Sequence, residues 1–198
     1  MKKFNLLITG VGGQGVILAS DIISEAALAA GYDVKKTDTL GMAQRGGSVI
    51  SHVRIGDCIW SPLIREGEVD ILIAFEKLEA ARWANYLRSG AIAIVNDHAV
   101  LPLSVVVGNE QYPTDREITN ILKQCSTRIY FVDGTSLTSK LGNVRALNMF
   151  MLGCASLFIP LKVHVWKGSI SQRVSSSMQQ INIAAFDLGR KEIRGVHI

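Results

Sequence analysis

Six residues, Gly10-Val11-Gly12-Gly13-Gln14-Gly15, hold the strongest chemical signal in the chain. Gly10, Gly12 and Gly15 keep a G-x-G-x-x-G spacing, in which the first glycine allows a tight turn, the second a close approach by a ligand, and the third close packing of a helix on a strand. Backbone amides left free at the start of that helix favour an anion. A second cluster, Gln44-Arg45-Gly46-Gly47, adds a guanidinium able to give paired hydrogen bonds to a phosphate or carboxylate, with two glycines that keep the backbone open. Gly10, Gly12, Gly13, Gln14, Gly15, Gln44, Arg45, Gly46 and Gly47 are the candidate binding residues. Each cluster also admits a plain reading: the first only packs its helix, and the second is a surface bend.

The flanking sequence supplies the elements that would position these residues. The apolar run 4–9 reads as a buried parallel strand, and Ile17, Ile22, Ile23, Ala26, Ala27 and Ala30 repeat at helical spacing after the turn. A second strand spans 32–38. Residues 48–55 read as a third strand, with Gly56-Asp57 turning into a short hairpin partner at 58–60 that Pro62 stops. Residues 69–75 and 91–95 are apolar enough for buried strands, separated by a helix from about 77 to 87 that Gly90 ends. Further on, the pattern predicts a strand at 103–107, a helix at 115–124 and a strand at 128–133. A helical segment follows at 137–157, broken near Gly142-Asn143, where Asn143 caps the second piece. One last helix at 169–191 carries Ile170, Val174, Met178, Ile181, Ala185 and Leu188 as a stripe. This alternation predicts an α/β fold: one Rossmann-like, doubly wound, mostly parallel sheet with a β-hairpin insertion and C-terminal helices, as a single domain over 1–198.

Composition excludes several functions. With 48% hydrophobic and 19% charged residues the chain suits a packed core rather than disorder. A net charge of +4, spread thinly, gives no nucleic-acid surface. Three scattered cysteines (Cys58, Cys125, Cys154) and four histidines lack metal-ligand spacing, so no metal or iron–sulfur site is expected on this chain, and a reducing cytoplasm suits it. Glycines interrupt the apolar stretch after Met1-Lys2-Lys3, and no run is long enough for a membrane span. The sequence also lacks a nucleophile motif, a Walker sequence and a paired-carboxylate cluster, so no catalytic residue is assigned. Glu76, Glu79 and Arg82 read as a solvated helix face with a local ion pair, Asn148 as an interhelix hydrogen-bonding residue, and Cys154 as core. Asp38, at the end of the second strand, leaves open a stand-alone NAD(P)- or acyl-CoA-binding Rossmann protein.

The motifs Thr9 to Val16, Gln44 to Ser48, Val53-Arg54-Ile55-Gly56, and Asp70 to Glu76 with Glu79-Ala80 resemble the gamma-type domain of 2-oxoacid:ferredoxin oxidoreductases. Within that family the chain is similar to the small (beta) subunit of the indolepyruvate type over nearly its whole length, with Asn143, Asn148 and Leu152-Gly153 matching the late helix. The resemblance is weakest at 102–127 and at the carboxyl end. It implies oxidative decarboxylation of an aryl pyruvate with coenzyme A (CoA), giving an aryl-acetyl-CoA, carbon dioxide and reduced ferredoxin. It further implies that thiamine diphosphate and the iron–sulfur (4Fe-4S) clusters sit on a large alpha subunit, that this chain holds no cofactor alone, and that the turn at Gly12–Gly15 and Arg45 line the approach of CoA or substrate.

Overall fold

A computed structural model describes residues 3–40, 46–108 and 110–196. Its strands are β1 (Phe4–Val11), β2 (Asp33–Leu40), β3 (Ser48–Gly56), β4 (Val69–Ala74), β5 (Leu87–Asn96) and β6 (Arg128–Val132). They form one sheet in the order β2-β3-β1-β4-β5-β6. β1, β4, β5 and β6 run parallel, and β3 is antiparallel to both β1 and β2. The mostly parallel α/β sheet expected from the sequence is therefore present. Its hairpin is placed differently. β2 and β3 pair with each other, whereas residues 58–60 form no strand. The Ile59 amide instead donates to Asp33 Oδ2 at 2.7 Å, which lowers the Asp33 pKa and ties the segment back to the start of β2.

Strands covered on both faces explain the unbroken apolar runs. Leu6, Ile8, Ile71, Ile73, Ile92 and Ile94 face a core shared with helices α1 (Val16–Ala29), α6 (Leu147–Ala155), α7 (Val163–Arg173) and α8 (Ser176–Val196). Leu7, Leu72, Ala93 and Val95 face the opposite core, beneath α2 (Lys77–Arg82) and α4 (Asp115–Cys125). A capping box starts α4: Thr114 Oγ1 accepts from the Glu117 amide at 3.3 Å, and the Glu117 carboxylate accepts from the Thr114 amide at 2.8 Å. Two short helices, α3 (Leu103–Val106) and α5 (Gly134–Lys140), and two 3-10 turns complete the order.

Three expectations are corrected here. Residues 103–106 are helical, because Pro102 presets the first turn and its carbonyl accepts from the Val105 and Val106 amides; β5 already has β4 and β6 as neighbours. Gly90 does not end a helix. α2 stops at Arg82, and Gly90 lies inside β5 at φ +73°, where the register against β4 slips. The last helix is two, broken at Val174, whose backbone is extended. A run of serines follows, Ser175-Ser176-Ser177, a residue type whose hydroxyl can compete for backbone groups, and here the Ser175 and Ser177 hydroxyls bond each other at 3.2 Å. Ile170 and Ala185 still reach the same core from opposite arms of the resulting helix pair. Asn143 caps as expected, its side chain accepting from the Arg145 amide at 3.0 Å.

α6 and α8 cross at a glycine pair. A Cβ on Gly153 would lie 2.0 Å from the Phe186 carbonyl oxygen, and a Cβ on Gly189 would lie 2.0 Å from that of Phe150. Backbone blocks both positions, so neither contact can yield by a rotamer change. Gly153→Ala is expected to lose roughly 3 kcal/mol, although alanine gains about 1 kcal/mol over glycine in an open helix. Thermal melts should show Tm lower by roughly 6–12 °C; an unchanged or higher Tm would refute the crossing.

His52 gives a pH prediction. It is buried beside Tyr86, its Nδ1 accepts from the Ile64 amide at 3.3 Å, and burial lowers its pKa below the ordinary 6.5. Because the folded pKa is the lower one, the unfolded chain binds the proton first as pH falls. Stability is then intact above about pH 6.5 and declines below it. The lowered values of Asp33 and Glu117 act only below about pH 4.5, so they do not overlap this window. Tm should fall between pH 6.5 and 5.5, and His52→Phe should flatten that slope; identical slopes would assign the effect elsewhere.

Candidate functional site

In open α/β sheets, ligands bind outside the carboxyl ends of the strands where the chain changes direction across the sheet. Here that point lies between β1 and β4, since β1 leads to β2 on one side and β4 leads to β5 and β6 on the other. A cavity of about 400 Å³ opens there, lined by Gly13, Gln14 and Gly15. The rest of its wall is His98 and Val100 after β5, Thr135 in α5, and Val144, Arg145 and Leu147 leading into α6.

The glycines divide their work differently from the generic pattern. Gly10 is buried beneath the turn, where a Cβ would meet Phe75 Cβ at 2.8 Å and Gln14 Oε1 at 2.7 Å. Gly13 takes φ +105° with open space before it, and so leaves room at the cavity. Gly15, at φ +84°, caps the start of α1 and packs against Asn148 of α6 rather than against a strand; a Cβ there would lie 2.7 Å from Asn148 Nδ2. Gln14 turns its carboxamide inward. Oε1 accepts from the Val11 amide at 2.7 Å, and Nε2 donates to the Phe75 carbonyl at 3.2 Å. Gly15 lines the cavity, so the start of α1, the positive end of its helix dipole, lies at a wall whose turn the Gln14 carboxamide holds.

The second cluster reaches the same place in part. The Gly12 amide donates to the Gly47 carbonyl at 2.9 Å, and Gly46 bends the chain at φ +80°. Gln44 and Arg45 lie outside the described residues. Arg145 is a cation that sequence reasoning missed: it is exposed at the cavity and pairs with no carboxylate among the described residues. Nothing in its local sequence marks Arg145, which lies two residues after the Asn143 cap and reaches the cavity through the fold.

Glu76 and Glu79 do not form a solvated face; both are buried. Glu76 caps α2 by accepting from the Glu79 amide at 2.9 Å, and its other oxygen accepts from the Val100 amide at 3.1 Å and from the Tyr112 hydroxyl. Burial, and then the Glu76 carboxylate, raise the Tyr112 pKa. Glu79 accepts from Ser48 Oγ at 2.5 Å and pairs with Arg82 at 3.2 Å. Both carboxylates are thus committed to holding loops. Asn148 accepts from its neighbour, the Met149 amide, at 2.9 Å, and its contact with Gly15 is the link between helices. Asp38 stands one strand too far away, because β3 separates β2 from β1; it accepts from Ser51 Oγ at 2.6 Å and pairs with Lys36. Asp38 therefore does not stand beside the turn, where a dinucleotide ribose requires its acid.

For metal chemistry the residues do not fit. Cys58 is exposed, Cys154 is buried with its thiol against the Gly189 carbonyl, and no three His, Cys, Asp or Glu side chains among the described residues are grouped to hold an ion. Nor is any helix among the described residues long and apolar enough to cross a membrane.

Solved structures share this fold. The gamma subunit of a keto/oxoacid ferredoxin oxidoreductase from Geobacter sulfurreducens superposes with TM-score 0.72 at 22% identity, covering 97% of this chain and 99% of that one. A 2-oxoglutarate:ferredoxin oxidoreductase from Magnetococcus marinus, solved with 2-oxoglutarate, coenzyme A and succinyl-CoA bound, gives TM-score 0.77 at 19% identity, covering 98% of this chain but 32% of that one. Sequence then narrows the class. Residues 5–192 match the pyruvate ferredoxin/flavodoxin oxidoreductase family model, and the chain belongs to that family. Among its relatives, the indolepyruvate oxidoreductase subunit IorB of Pyrococcus horikoshii is 37% identical over 194 residues, 96% of each chain. IorB of Archaeoglobus fulgidus is 37% identical over 189 residues, 94% of each.

Proposed function

We propose that this chain is the small, cofactor-free subunit of an indolepyruvate-type 2-oxoacid:ferredoxin oxidoreductase, a single cytoplasmic domain that completes the crevice in which CoA meets the 2-oxoacid. The observation that carries the reading is full-length similarity, at 37% identity, to chains named as indolepyruvate oxidoreductase subunits. The reaction would cleave the bond to the substrate carboxylate, release carbon dioxide and a thiol proton, form an acyl-CoA, and pass two electrons to ferredoxin. Thiamine diphosphate, held by the large alpha subunit together with the iron–sulfur clusters, would supply the electron sink.

What remains for this chain is binding and orientation. The α1 amides and Arg145 offer positive potential to an anionic portion of CoA, and Gly13 leaves space for it. Gly46 and Gly47 belong to the same wall in this reading, together with Gly12. Leu101, Leu103, Val106 and Val107, which follow the cavity-lining Val100 in the chain, are all more than half exposed, and such apolar surface suits a component of a larger assembly.

Two experiments test this. Purification of the chain from its native source should bring down a large thiamine-diphosphate and iron–sulfur partner that oxidises indolepyruvate with CoA; a chain that purifies alone and retains a pyridine nucleotide would overturn the assignment. In the reconstituted complex, Arg145→Ala should raise KM for CoA about ten- to a hundredfold, the equivalent of one charge-assisted hydrogen bond of roughly 1.5–3 kcal/mol, with kcat little changed. An unaltered KM would remove Arg145 from the CoA path.

A further inference from the structure

Two side-chain carboxamides meet on one backbone oxygen beneath the cavity. The Phe75 carbonyl, at the end of β4, accepts from Gln14 Nε2 at 3.2 Å and from Asn96 Nδ2 at 3.1 Å. Gln14 holds the glycine turn through the Val11 amide. Asn96, fully buried at the end of β5, holds the opposite wall: its Nδ2 also donates to Thr135 Oγ1 at 2.9 Å, and its Oδ1 accepts from the Thr135 amide at 3.2 Å. Neither carboxamide can drift. A Cβ on Gly134 would lie 3.0 Å from Asn96 Oδ1 and 2.8 Å from both Leu147 and Phe150, so the backbone beside Asn96 is packed to contact. Asn96 thus engages both amide hydrogens and its oxygen on the Phe75 carbonyl and Thr135, and Gln14 engages its oxygen and one amide hydrogen on backbone.

We propose that Asn96 is a positioning residue for CoA binding, and that through the shared Phe75 carbonyl it couples the Thr135 wall to the Gln14-held glycine turn, so that the two walls keep one spacing. The inference rests on the reading of this cavity as the CoA site. A carbonyl oxygen has two lone pairs, and here both are occupied by side chains from opposite walls. Removing either donor leaves the peptide at the end of β4 held from one side only, and the turn and the Thr135 wall lose their common reference.

The test uses the reconstituted complex and two neutral replacements of similar size, Asn96→Leu and Gln14→Met, with KM for CoA, KM for the 2-oxoacid, kcat and Tm measured for each. Each single variant should raise KM for CoA about five- to tenfold, with kcat within twofold and KM for the 2-oxoacid unchanged. The double variant should resemble either single one rather than their product. Thr138→Val is the stability control: it removes a buried hydrogen bond to the Gly134 carbonyl in the same helix, and should lower Tm without moving KM. If Asn96→Leu fails to fold, Thr135→Val removes only the hydroxyl that accepts from Asn96, and its cycle with Gln14→Met should be equally non-additive. A lowered Tm with unchanged KM at Asn96, or effects that simply multiply, would overturn the coupling. Should Arg145→Ala also leave KM for CoA unmoved, the cavity assignment itself falls and the coupling with it; a raised KM at Arg145 with none at Asn96 sinks the coupling alone.

Discussion

Three contacts that admit no Cβ run from the carboxyl-terminal helix to the cavity, and the placement of the site depends on them. Gly189 and Gly153 bring α8 and α6 together backbone to backbone. One turn earlier on α6, Asn148 lies against Gly15, which starts α1. Beneath the same turn, Gly10 lets the end of β4 approach, and the Phe75 amide donates to the Thr9 carbonyl at 2.9 Å. At each point a methyl group would push one layer off another. At the α6–α8 crossing backbone meets backbone, which has fewer ways to relax than side chains in a core, so that junction leaves little room for positional error.

That path also explains why a glycine pattern shared with dinucleotide-binding folds serves another purpose here. In the dinucleotide arrangement the second strand lies beside the first and offers its terminal acid to a ribose. β3 occupies that place, antiparallel, and directs Ser48 and the Gly46-Gly47 segment at the turn instead. Glu79 then accepts from Ser48, so the carboxylate that stands near the turn is spent on holding β3. The insertion of one strand exchanges a ribose-reading edge for a loop-lined wall.

The strongly apolar elements were legible in the sequence because burial on both faces leaves an unmistakable pattern; β1, β4 and the core of β5 follow it, and so does the glycine turn between β1 and α1. What escaped were features set by partners distant in sequence. A valine-rich segment at 103–107 has strand propensity, but the sheet has no vacant neighbour for it beside β5. An apolar stripe ran through Val174 because both helices face one core, and periodicity carries no record of a break between two elements that share a partner. Glu76 and Glu79 looked like surface acids because their partners, the Val100 amide, Tyr112 and Ser48, lie 24 to 36 residues away. For the site, the turn and its neighbour Gly47 could be read, whereas Thr135 and Arg145 could not, since only the fold brings α5 and the entry to α6 around to the end of β1.

The distribution of ionisable groups follows from the same geometry. Buried carboxylates near the cavity are bound to amides, hydroxyls or a guanidinium, and buried carboxamides are bound to backbone. Such groups resist changes of orientation, because a rotated side chain would strand its partner in a low-dielectric interior. Among the described residues that line the cavity, Gly13, His98, Val144 and Arg145 are exposed, and none of these is a nucleophile held beside a general base. A wall built in this way can orient an anion and exclude misplaced ones. Groups fixed in this way give the wall a constant shape, which is what holding a bound molecule in one orientation requires.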